Sequence, residues 1–456
     1  MTRRHQRQLA LTQLVLFGVI TSPEQLMEPM LRRIDELLED EALVDAVVRA
    51  MRGRRPESAK RGRPGTPAEV ALRMLALKHL RNWSYERLEW EVTGNIVYRR
   101  FCRIEGGKVP DAKTMVRLNQ LLEGSVLRSV FERVVQVGIE QKVSRGKRMR
   151  VDTTVVEAPI HYPTDSGLCE DAIRVIRRAV RQLGGKLRNV SRSVSRRMRE
   201  IAQALRLRGE RATEAMKKPY RRLLSITRRV IKQGRRALEA AQREARKSKD
   251  ERLSRAAAKL AAILPLADRV VKQTKARIVG GVTKSGDKLI SIFEPYAQIL
   301  RRGKVHKPTE FGMLVKVQEA EGGLVTDVAL VPQKADAPLL VPSVEHHIAV
   351  FGHAPRTVAA DRGFYSAEGE QRVGELGVLR AVLPKPGYRS QERIAYEQQR
   401  WFKRARAWRA GGEARIARLK HQFGMHRARY RGERGMERTA LWAAIANNLI
   451  AIAAPT

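Results

Sequence analysis

Apolar positions recur at helical spacing through the first third of the chain. In "PEQLMEPMLRRIDELLEDEALVDAVVRAM" the residues Leu26, Met30, Ile34, Leu37 and Leu38 keep the α-helical period. With the segment before it, this stretch predicts two helices over residues 1–55. The pattern then breaks at "RRPESAKRGRPGTP", whose prolines, glycines and cations read as a linker. It resumes at Ala68 in "AEVALRMLALKHLRNWSYERLEWEVTGNIVYRRF", with Ser84 and Asp111 as N-caps. An all-α domain over 1–138 follows, as a helix-turn-helix or a plain bundle.

The period changes at "KRMRVDTTVVEAP", where Val151, Val155, Val156 and the threonines predict a strand. From about Cys169 to Arg277 the chain is helical and basic, with Leu223, Leu224, Ile226, Val230 and Ile231 spaced among arginines. Strand signals return in "DKLISIFEP" and in "EFGMLVKVQEAEGGLVTDVALVP", a hairpin joined at "AEGG". Next come a helix in "APLLVPSVEHHIAVFG", a strand in "RTVAAD", a helix in "SAEGEQRVGEL" and a strand in "VLRAVLP". A long helix, "RWFKRARAWRAGGEARIARLKHQFG", and an apolar final helix from Glu437 complete the chain. Strands alternating with helices behind an antiparallel hairpin indicate a mixed α/β sheet. The domains read as 1–138 helical, 139–165 the first part of a core, 166–278 a basic helical insertion, and 279–456 the rest of the core with the final helix.

Charge narrows the partners. Lys and Arg number 90 against 48 Asp and Glu, a formal net charge of +42 on 456 residues. That much self-repulsion calls for a polyanion, and nucleic acid is a better candidate than a membrane surface. Two cysteines, Cys102 and Cys169, supply neither a disulfide framework nor a zinc site, as in a cytosolic protein. The basic, apolar start "TRRHQRQLALTQLVLFGVITS" is interrupted by Gln13 and lacks a small-residue cleavage site, which argues against a signal peptide. No segment has the apolar length of a membrane span.

Three carboxylates stand out. Asp152 sits in an otherwise apolar strand, where an acid costs stability unless paired, solvated or bound to a cation. Asp361 ends "TVAAD"; it could cap the next helix, but Ser366 lies closer to that helix and is the better cap. Glu413 lies on the long helix, on one face with Arg406, Arg409 and Lys420. Gly411 and Gly412 before it suit close approach of a backbone or ligand. The alternative for that face is a surface ion-pair array. Asp165 and Glu294 are acidic neighbours that could support such a site, while "EHH" at Glu345–His347, His353, His306 and His161 read as helix or loop residues rather than metal ligands.

Asp152, Asp361 and Glu413, in this order on strand, strand and helix, resemble the DDE triad of bacterial insertion-sequence transposases with a ribonuclease-H-like core. One large group of these carries the signature Tyr, two residues, Arg, three residues, Glu, six residues, Lys. Arg409, Glu413 and Lys420 fit its spacing, and Arg406 stands at the Tyr position. "HYPTDS", "DRGFYS", "HRARYRGERG" and "GRPGTPAEVALRMLALKHLRNWSYERLEWEV" are also similar to this group, nearest the ISNCY subgroup, over residues 60–165 and 280–456.

The resemblance implies a metal-dependent polynucleotidyl transferase that cuts transposon ends and joins the 3′-hydroxyl to target DNA. It implies Asp152, Asp361 and Glu413 as ligands of two Mg2+ ions, with Mn2+ able to substitute, and Arg406, Arg409 and Lys420 as phosphate contacts. Its partners would be double-stranded DNA and a second copy when synapsed, in the bacterial cytoplasm at the nucleoid. The rival readings are an inactive DNA-binding descendant, a metal-dependent nuclease of the same fold, and an RNA-binding protein. The last fits poorly with aromatics at only 5%.

Overall fold

In a computed structural model the structure describes residues 25–54, 65–104, 106–122, 124–248, 250–282, 288–301, 308–332 and 335–454. The expected first helix, the linker around residues 55–64, and His306 lie outside them. The chain divides into two compact units, residues 1–156 with 314–456, and residues 157–313.

The segment predicted as one helix from Pro23 is two, α1 (Pro29–Leu37) and α2 (Glu41–Arg54). Asp40 ends the first and starts the second: its carboxylate accepts the Leu43 N–H and pairs with Arg133 at 2.7 Å. A capping side chain there outcompetes helix continuation. Next come α3 (Ala68–Leu80), α4 (Tyr85–Gly94), α5 (Ile96–Phe101), α6 (Ala112–Leu121) and α7 (Gly124–Glu140). Ser84 and Asp111 cap α4 and α6 as expected, accepting the N–H groups of Arg87 and Thr114.

β1 (Arg148–Glu157) is followed by the helices of the second unit: α8 (Asp165–Gln182), α9 (Ser191–Ala204), the 40-residue α10 (Gly209–Ser248) and α11 (Glu251–Ile278). They bury one continuous apolar face, including Ile176, Leu223, Leu224, Val230, Leu260 and Val270, and leave most of the arginines outside. The strand predicted in "DKLISIFEP" does not form over its described residues; the strand here is β2 (Gln298–Leu300). Ser291 Oγ accepts the N–H groups of Phe293 and Glu294, and the Gln273 side chain takes both backbone groups of Leu289. These bonds satisfy the backbone that a ladder would otherwise use.

β3 (Glu310–Ala320) and β4 (Val325–Val331) form the predicted hairpin. Then follow α12 (Leu340–Phe351), β5 (Thr357–Ala359), α13 (Ala367–Glu375), β6 (Arg380–Val382), α14 (Gln391–Gln398), α15 (Arg400–His421) and α16 (Glu433–Ala453). Within the first unit β3 neighbours β1, β1 pairs parallel with β5, and β5 parallel with β6, while β4 runs antiparallel along β3. The result is a mixed α/β sheet in a largely helical unit. Met149 and Val151 face α12 and α13, in a core with Leu340, Val344, Val358 and Phe364. Ala359, Val382 and Phe402 form the core under α15 on the opposite face. α16 is buried along nearly its whole length, with Trp442 donating to Asn119 at 2.9 Å and stacked on His79. No helix among the described residues is long and apolar enough to cross a membrane.

Candidate active site

β1 alternates its side chains between the two faces of the sheet. Thr153 points to the α12 side, where its hydroxyl donates to Asp336 Oδ1 at 2.9 Å. Arg150 and Asp152 point to the α15 side. Asp152 is therefore in mid-strand rather than at the strand's own end. Its neighbour β5 ends at Ala359, opposite Arg150, and Asp361 follows two residues beyond that strand end. Adjacent strands are about 4.8 Å apart, so one acid is held by the sheet and the other sits on its rim.

Asp361 opens a short 3-10 turn, its Oδ1 accepting the Gly363 N–H at 2.7 Å. Ser366 separately caps α13. Gly363 packs closely at this turn: a Cβ there would lie 3.0 Å from Asp361 Oδ1 and 3.2 Å from Asp336 Oδ2, so those carboxylates would have to shift by a few tenths of an ångström. Asp336 thus supports the turn that carries Asp361.

Opposite, α15 brings Arg409 between the other two groups. Its guanidinium lies 3.8 Å from Asp152 and 3.7 Å from Glu413. The Glu413 side chain is 73% exposed against 21% for Asp152, so it can change rotamer without disturbing the core. A cavity of about 10 Å³, room for one water, is enclosed by Asp152, Arg409, Glu319, Val317 and Gly412 among others. Arg406 is exposed and Lys420 half-buried, each two turns of α15 from Glu413, or about 10 Å along the axis. All lie on one face of the helix Arg400–His421 by its 3.6-residue period. Among the described residues no three His, Cys, Asp or Glu side chains are gathered closely enough to hold a metal ion.

A clamp absent from the sequence reading sets the position of α15. Arg150 makes a bidentate pair with Glu319 of β3 at 3.0 and 2.7 Å, and donates to the Trp408 carbonyl at 2.5 Å. Arg415 donates to the same Glu319 at 3.2 Å and to Asn447 of α16 at 2.8 Å, and Asn447 donates to Gly323 O. The glycines ahead of Glu413, expected to suit close approach of a backbone or ligand, lie against the Arg150 side chain, and a Cβ on Gly411 would lie 2.9 Å from its Nη1. The available signal was spacing, since Arg150 and Asp152 share a strand face.

The other acids and histidines have roles elsewhere. Asp165 is buried in the second unit, paired with Arg277 at 2.5 Å and Lys288 at 3.1 Å, and Glu294 is buried in that unit too. His161 lies 3.4 Å from Asp171 in the same unit. His347 bonds Gly146 O at 2.9 Å, and burial pushes its imidazole down to about 4, which keeps it neutral. His346 turns instead to Thr326 O.

Residues 21–121 match the family described as "Transposase domain (DUF772)", which supports a transposase role for this chain. The chain is also 28% identical over 133 residues to "Uncharacterized protein ORF8 in nfe locus" of Rhizobium meliloti. That alignment covers 28% of this chain and 64% of the relative, so the chain spans less than two thirds of the relative's length. No solved structure matches.

Proposed function

We propose that this chain is a DDE transposase that cuts transposon ends and joins the freed 3′-hydroxyl to target DNA by two-metal phosphodiester transfer on a ribonuclease-H-like sheet. The observation that carries this is the approach of Asp152 and Glu413 to the one guanidinium of Arg409, with Asp361 just past the end of β5, the strand paired with β1. It occurs in a chain whose residues 21–121 match a transposase domain.

The donor set suits magnesium, or manganese in its place, because every candidate ligand is a carboxylate oxygen. Asp152, Asp361 and Glu413 would hold the two ions, which when bound activate the attacking oxygen and relieve charge on the leaving one. The sheet fixes Asp152 and Asp361, and the exposed Glu413 supplies the adjustable third arm. Arg409 offers a planar fork to a phosphate, and Lys420 and Arg406 offer charges further along the same face. An incoming phosphate would compete with Asp152 and Glu413 for Arg409, since both pairs are long and partly exposed. The Arg150–Glu319–Arg415 clamp holds helix against sheet, and orientation of that kind is a large part of catalytic rate. With a net charge of +42, binding to double-stranded DNA would depend steeply on salt. Two transposon ends call for a pair of chains.

A second reading, an inactive DNA-binding descendant, is favoured by the absence of a gathered acidic triad among the described residues. Incubating the protein with element-end DNA and Mg2+ separates the two. Asp152→Asn and Asp361→Asn should each abolish cutting while retaining DNA affinity. Wild-type binding without cutting under any divalent cation would select the second reading.

A further inference from the structure

Two of the three parallel strands, β1 and β6, begin with arginines, at the end of the sheet away from Asp361. Arg148 of β1, Thr357 of β5 and Arg380 of β6 lie side by side in register. At about 4.8 Å per strand the two arginines are spaced by about 10 Å. The first turns of α15 add Arg400 and Arg404, which share a helix face. Together with Gln399 and Trp401 these residues line an open cleft of about 680 Å³ with no Asp or Glu in its wall. All four arginines are exposed.

Some arginines of the first unit are matched with acids, as Arg393 is with Glu370 and Glu397. In this cleft, among the described residues, none of the four makes an ion pair. Arg380 lies 5.2 Å from the Trp401 ring centre and Arg148 lies 5.1 Å from that of Trp408. Four like charges gathered in one exposed cleft make an electropositive seat that suits an anion able to span them.

We propose that this cleft is a seat for the sugar–phosphate backbone of double-stranded DNA, separate from the candidate active site. Asp152 lies four residues further along β1, about 13 Å away, or about four nucleotides at 3.4 Å per step. DNA seated here would be gripped a few nucleotides from the acids. The inference needs DNA binding alone and stands even if the chain cuts nothing.

The test is equilibrium binding of a labelled DNA duplex by the full chain across a salt series. The proteins compared are wild type, the double variant Arg400→Ala with Arg404→Ala, Arg380→Ala, and Arg372→Ala on α13 as a control. Denaturation midpoints confirm that each is folded. The double variant should bind about 10-fold more weakly and lower the slope of log affinity against log salt by about 2. Arg380→Ala should lower it by about 1, and Arg372→Ala should match wild type. Unchanged affinity and slope in the double variant would overturn the proposal. So would an equal loss in the control, or a loss confined to RNA of the same length.

Discussion

Two arginines on α15, six residues apart, meet carboxylates in opposite ways. Arg415 reaches Glu319 at 3.2 Å in a buried cluster where Glu319 also takes both ends of the Arg150 fork. Arg409 reaches Asp152 and Glu413 at 3.8 and 3.7 Å, beside solvent. The first set is short, shared and desolvated, so it fixes where the helix lies. The second is long and partly wet, contributes little to stability, and leaves its carboxylates available. The same residue types thus supply a fixed frame and an adjustable site on one helix, and burial decides which is which.

The largest effect should come from breaking the frame. Glu319→Ala leaves two buried guanidinium groups without their acid and should cost about 3–5 kcal/mol, read from the denaturant midpoint. A buried cation that makes no ion pair among the described residues sharpens the contrast. Lys78 lies 4.7 Å from the Tyr85 ring centre, and burial, with Arg429 nearby, pushes its amine down to about 7. Its folded value is below the unfolded one near 10.4, so the unfolded chain binds more protons between those limits. Stability should therefore rise as pH increases from about 7 to about 10. Lys78→Met should remove that slope, giving its greatest stabilisation, on the order of a few kcal/mol, at neutral pH and below.

Smaller changes probe the fit of α15 on Arg150. Gly412→Ala places a Cβ 3.5 Å from Arg150 Cδ, an ordinary contact, and should stabilise the helix by up to about 1 kcal/mol. Gly411→Ala meets Arg150 Nη1 at 2.9 Å and should gain less or lose stability, because the fork on Glu319 must shift. Comparison of the two midpoints checks this. The smallest effect belongs to the open site: Glu413→Gln should change stability by less than about 0.5 kcal/mol.

Much of this was legible in the chain. Hydrophobic period gave the β3–β4 hairpin, the alternation after it and the buried final helix, and Ser84, Asp111 and Ser366 cap as their positions suggested. The shared face of Arg409 and Glu413 followed from helical spacing alone. What was not legible depends on partners distant in sequence. Arg150 and Glu319 are 169 positions apart, and only the sheet's register makes them neighbours. Asp336 carried no signal in the sequence, and only the fold brings it against Thr153 and Gly363. The strand expected at "DKLISIFEP" failed because Ser291 and Gln273 take up its backbone groups, a competition that apolar patterning cannot register.

The central claim, that Glu413 is the third catalytic carboxylate on a frame built by others, is tested most directly by one comparison. Wild type and Glu413→Gln would be assayed for cleavage of element-end DNA with and without Mg2+. The account predicts metal-dependent cutting by wild type and none by the variant, at matched stability and DNA affinity. Equal cutting by both proteins would contradict it and remove Glu413 from the site.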